Sequence, residues 1–120
     1  MLLYIHDQLL IDQIQERFQE CFSGLRIVFY SRIQNRRDPA AIYRIPGSRY
    51  VGDVRVNHRN GILEIKSWYT VSRVEKALKE EFDLEARVFR GNEMTGWVQV
   101  NANADQTLRQ LCLPTTEPVG

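Results

Sequence analysis

The chain carries the same pattern of apolar positions twice, about sixty residues apart. Leu3 aligns with Leu63, Ile5 with Ile65, Ile11 with Val71, Ile14 with Val74, Phe18 with Leu78, Glu20 with Glu80 and Phe22 with Phe82. After one extra residue near Gly24, LRIVFYS aligns with LEARVFR. The second copy, residues 62–90, reads as strand, helix, strand, and the first copy reads the same way. In the first, Ile11, Ile14, Phe18 and Phe22 are spaced by three, four and four, which places them on one helical face. In the second, Val71, Val74, Leu78 and Phe82 form the matching stripe.

Local signals bound these elements. Asp7 is the expected cap of the first helix, and Ser23-Gly24 stops it, as glycine just past a last turn commonly does. Thr70 is placed to cap the second helix, with Tyr69 and Val74 as a staple and Ser72 with Glu75 as a capping box. Glu75 and Lys79 form an i,i+4 pair on the solvent side. Residues 25–31 and 84–90 read as strands from their β-branched and aromatic content. Residues 97–101 add a strand that closes a hairpin after a turn at 91–96, and Asp105 is placed to cap a short helix ending at Leu111.

The middle of the chain differs in kind. Residues 32–50 show no periodicity and include Asp38-Pro39 and Pro46-Gly47, so they read as a long loop. Residues 51–58 alternate as a strand, and Asn60-Gly61 is a two-residue hairpin signal, so this strand is expected to pair antiparallel with residues 62–67.

A length of 120 residues, 43% hydrophobic and 26% charged, fits one globular core. The domain is expected to cover residues 1–113, with residues 114–120 as a flexible tail. The apolar runs are too short to span a bilayer and the N-terminus lacks a basic leader region, so the expected location is cytoplasmic. Cys21 and Cys112 have neither a redox nor a zinc spacing and read as free thiols.

Two strand-helix-strand-strand halves imply an α+β fold. It is expected as one open, mostly antiparallel sheet with two helices on one face, because crossovers between parallel strands are right-handed. Over residues 2–101 this order resembles the ferredoxin-like fold, with an extra strand after each crossover. The phrases IQERF at 14–18, LEIKSW at 63–68 and WVQV at 97–100 also resemble small bacterial α+β proteins, a likeness that implies no activity. A double-stranded-RNA-binding order is the rival if residues 2–5 are not a strand, although the second helix opens TVSRVEK, without that family's basic start.

Strand alternation then gives the helix-free face Arg26, Tyr30, Lys66, Trp68, Arg87 and Phe89, and the arginine-rich loop adds Arg36, Arg37, Tyr43 and Arg44. All seven bases between residues 32 and 59 are arginine, and that span is net +5. Aromatic rings with arginine suit a protein partner or a second copy of the chain, or alternatively single-stranded RNA or DNA. Coverage of those rings by the loop, the C-terminal segment or another subunit is the competing account.

Enzymatic chemistry has little to stand on. His6, Asp7, Asp12 and Cys21 can be drawn together on paper, but Cys21 lies beside the apolar stripe, where a buried inert thiol is the commoner case. His58 reads as solvated. No phosphate-binding glycine loop, HExxH or GxSxG occurs, so no catalytic residue, metal or cofactor is expected.

Overall fold

The computed structural model describes residues 1–31, 43–92, 94, 96–101, 103 and 105–112. The loop residues 32–42 and the expected tail lie outside these. The chain is mixed α/β with antiparallel sheets: β1 (Leu2–Ile5), α1 (Ile11–Cys21), β2 (Leu25–Ser31), β3 (Tyr43–Arg44), a 3₁₀ turn (Val51–Asp53), β4 (Gly61–Glu64), α2 (Val71–Phe82), β5 (Glu85–Asn92), β6 (Gly96–Gln99) and α3 (Leu108–Leu111).

The strands divide between two sheets instead of forming one. Among the described residues β1 pairs with β4 alone, and the other sheet runs β3-β2-β5-β6, every pairing antiparallel. The strand-helix-strand units therefore cross from one sheet to the other, and the single open sheet implied by the ferredoxin-like resemblance does not form. Each half uses its own duplicate as the partner for both of its long strands.

The registers make the duplication a pseudo-two-fold. Leu3 pairs with Leu63, its own repeat counterpart, and Val28 pairs with Arg87, which the LRIVFYS/LEARVFR alignment makes its counterpart. One axis through both pairs relates the halves. The relation extends beyond the strands: Ile45 N donates to Phe29 O at 2.8 Å as Val100 N does to Val88 O at 2.9 Å. Val51 N donates to Leu9 O at 2.8 Å, and Leu108 N to Tyr69 O at 2.9 Å. Bridges Leu10 to Tyr50 and Thr70 to Thr107 repeat likewise, so the 3₁₀ turn and α3 are equivalents.

Alternation and helical stripes meet in one core. Leu25, Ile27 and Phe29 share a sheet face with Ala86 and Val88, and against them pack Ile11, Ile14 and Phe18 of α1 and Val71, Val74, Leu78 and Phe82 of α2. Both helices thus cover the same side of the four-stranded sheet. Ile5, Leu63 and Ile65 close the cluster from the smaller sheet.

Caps differ from expectation in instructive ways. Thr70 Oγ1 accepts from Arg73 N at 3.2 Å, as expected, and Gly24 ends α1 at φ 82°. Asp7 does not cap α1; the Leu10 N–H is satisfied by Gln13 Oε1 at 2.8 Å. Glu75 turns from solvent to accept from Val88 N at 3.0 Å, leaving Lys79 to pair with Glu85 at 3.7 Å. Thr107, not Asp105, caps α3.

The strand expected at residues 51–58 is absent. The N–H groups of Val56 and Asn57 go to Asp83 Oδ2 at 3.0 and 2.9 Å, so they are not offered to a ladder. Asn60-Gly61 consequently makes no hairpin turn. Gly61 opens β4, where a Cβ would lie 3.5 Å from the Phe82 ring.

Two outcomes test this architecture. Fragments 1–59 and 60–120 should be unfolded alone and should form a 1:1 folded complex when co-expressed, read by size-exclusion chromatography and circular dichroism. Leu63→Ala, at the axis, should cost about 2–5 kcal/mol in chemical denaturation.

Candidate functional site

The four-stranded sheet gathers five of the ten expected contact residues on its face away from the core. Arg26 stands opposite Phe89, Val28 opposite Arg87, Tyr30 opposite Glu85, and Arg44 opposite Tyr30. This face is largely self-satisfied. Arg26, Tyr30, Arg87 and Phe89 are half-buried, and Val28 is buried although outside the main core. The Arg26 guanidinium lies 5.7 Å from the Trp97 ring centre, and Arg87 donates to Glu85 Oε2 at 2.9 Å and to Ala86 O at 2.8 Å. Tyr43 and Arg44 are exposed on β3, while Arg36 and Arg37 lie outside the described residues.

Lys66 and Trp68 part from this group, because they follow β4 in the other sheet. The β1–β4 pair sends Leu3, Ile5, Leu63 and Ile65 inward and presents Leu2, Tyr4, Ile62 and Glu64 outward. Leu2 is 60% exposed, Tyr4 54%, Ile62 66% and Trp68 62%. Lys66 Nζ bonds Glu64 Oε1 at 2.9 Å and lies 5.1 Å from the Trp68 ring centre, and the Glu64 carboxylate raises the Lys66 pKa. Tyr4 stacks on His6 at 5.5 Å. The result is an apolar surface whose acid and base neutralise each other. Alternation in both strands carried this signal, but it placed the residues within one sheet whose exposed members were expected elsewhere.

Antiparallel alternation also decides the backbone. Met1 and Ile65 exchange both hydrogen bonds, at 2.8 and 2.9 Å, so the N–H and C=O groups of Leu2, Tyr4, Ile62 and Glu64 point outward to both edges of this two-stranded sheet.

A charged cluster ties the two halves together at residues 54–60. The wholly buried Arg55 side chain donates to Asp7 Oδ1 through Nε at 3.1 Å and Nη2 at 2.9 Å, to Arg59 O at 2.8 Å, to Phe82 O at 3.2 Å and to Asn60 Oδ1 at 3.1 Å. His58 Nδ1 lies 3.0 Å from Asp7 Oδ2. The His58 hydrogen bond, then that of Arg55, holds the Asp7 carboxyl below the usual carboxylate range. Sequence reading missed this cluster, because neither Arg55 nor His58 was expected to face Asp7.

The catalytic sketch of His6, Asp7, Asp12 and Cys21 gains nothing. His6 accepts from Gln8 N at 3.2 Å, Asp7 is engaged by Arg55 and His58, and Cys21 is exposed, not buried. Burial pushes the Cys112 thiol pKa up, away from reactivity. Among the described residues no group of three histidine, cysteine or acidic side chains is placed to hold a metal. None of their helices is long and apolar enough to cross a membrane.

Removing Arg55 strips a buried cation from two carbonyls and a carboxylate, so Arg55→Ala should lower stability by about 3–5 kcal/mol in urea unfolding. Two carboxyls set opposite pH trends. Asp7, depressed in the folded state, contributes stability that is lost as pH falls through its folded pKa, and Asp7→Asn should flatten that acid limb. Glu75 is raised, chiefly by burial, so stability should decline as pH rises from the ordinary carboxylate range to its folded value. Glu75→Gln should abolish the decline, as urea midpoints measured against pH would show; its repeat counterpart, Gln15, is already an amide and donates to Ile27 O at 3.0 Å.

No protein-family model, curated protein or solved structure matches this chain. The geometry alone carries the functional argument.

Proposed function

We propose that this chain is a non-enzymatic protein-interaction module that engages its partner through the outer face of the β1–β4 pair. One observation carries the reading: Leu2, Tyr4 and Ile62, all more than half exposed, share a face whose charges cancel, and the exposed Trp68 in the turn after β4 joins it through Lys66. Together they expose several hundred Å², mostly apolar, on the order of the largest patch a monomer usually leaves bare. Of the residues expected to make contact, Lys66 and Trp68 belong here. The Arg26–Phe89 face is the weaker candidate, because Tyr30 and Phe89 are half-buried and Arg87 is already paired.

Single-stranded nucleic acid is the second reading, favoured by Arg26 over Trp97 with Arg44 on the same sheet face. The two readings separate in one set of measurements. Affinity capture with the immobilised chain should retain a protein that Trp68→Glu and Ile62→Glu release, with thermal midpoints unchanged. Fluorescence anisotropy should detect no single-stranded oligonucleotide binding at low salt. Salt-sensitive oligonucleotide binding lost in Arg26→Ala, with no capture dependent on Trp68, would reverse the order.

A further inference from the structure

We infer that the partner covering the outer face of β1–β4 is a second copy of this chain, packed face to face as a two-fold dimer. The inference rests on the interaction reading above and names its occupant.

Three features of the face point that way. The first is area. The four exposed residues with their rim of His6, Glu64 and Lys66 offer roughly 600 Å² per partner, the scale of a small interface whose dimer depends on concentration. The second is charge. Glu64 and Lys66 are paired within the chain, so two copies meet without like-charge repulsion, while a strongly acidic or basic partner finds no net attraction. The third is shape. The pseudo-two-fold through Leu3 and Leu63 relates Leu2 to Ile62, so β1 and β4 each present one branched aliphatic side chain to the face. An isologous dimer requires a patch that complements itself, and two such stripes can interleave.

The alternative way of joining two copies is edge to edge. The outward N–H and C=O groups of Leu2 and Tyr4 would accept a strand, and β1 has no charged side chain to deter one. Pairing at that edge, however, would lengthen the sheet and set two apolar outer faces side by side, still in water. Stacking the faces buries Tyr4, Ile62 and Trp68 and leaves the edge groups hydrated. Apolar burial decides for stacking.

Sedimentation velocity on the full chain tests this from roughly 1 to roughly 100 μM. The wild type should dimerise in that range, and Ile62→Lys and Tyr4→Lys should each weaken the dimer at least about tenfold with an unchanged thermal midpoint. Tyr30→Lys, on the other sheet, should leave the dimer intact. If a lysine variant fails to fold, Ile62→Ser supplies the same comparison. A dimer that survives these face substitutions overturns the proposal, as does a wild type that stays monomeric at every concentration. In the monomeric case, capture of a different protein dependent on Trp68 would leave the interaction reading standing, and its absence would remove both.

Discussion

Two antiparallel ladders, β1 with β4 and β2 with β5, hold this structure together, and both run between the halves. Neither half can complete its own sheet, because its long strands lie in different sheets and are joined only through a helix. The helix stripes face the same limit: Ile14 and Phe18 reach full burial in a cluster shared with Val74 and Leu78. Once the two ladders form about Leu3·Leu63 and Val28·Arg87, the remaining positions are largely set. β3 and β6 fall on opposite edges of the larger sheet, and Tyr50 and Thr107 reach equivalent helix starts.

Departures from the symmetry show what each half does alone. The counterpart of Asp7 is Ser67, so only the first half offers a carboxylate to the buried Arg55, and residues 54–60 are fastened there. Asp83, at φ 55°, binds Val56 and Asn57 from the other side. The outer face of the small sheet departs too. Tyr4 answers to Glu64 and Gln8 to Trp68, so one apolar surface with a single internal ion pair replaces what strict repetition would make twice. The interaction reading rests on that surface, in which only Leu2 and Ile62 keep the repeat.

How much was legible follows from how local each signal is. The stripes Ile11–Ile14–Phe18 and Val71–Val74–Leu78, the Thr70 cap and the glycine stop at Gly24 depend on neighbours within a few residues, and they form as read. The alternation of residues 51–58 failed because Asp83, some 27 residues away, claims two of its N–H groups, and because Arg55 is drawn inward to Asp7. Of the expected contact residues, Arg26, Tyr30, Arg87 and Phe89 do share a face, since period-two alternation fixes it; Lys66 and Trp68 do not join them.

The sequence by itself determined that there are two equivalent units, which face of each long helix and of its flanking strands is apolar, and where the second helix begins and ends. These are properties of periodicity and short-range hydrogen bonding. Only the tertiary structure decided that the units pair with each other in two separate sheets, that Arg55 is buried against Asp7 and that Tyr4, Ile62 and Trp68 are bare. Strand partners and ion pairs are chosen by competition among distant groups for the same hydrogen-bonding edges, and a one-dimensional pattern does not record who wins.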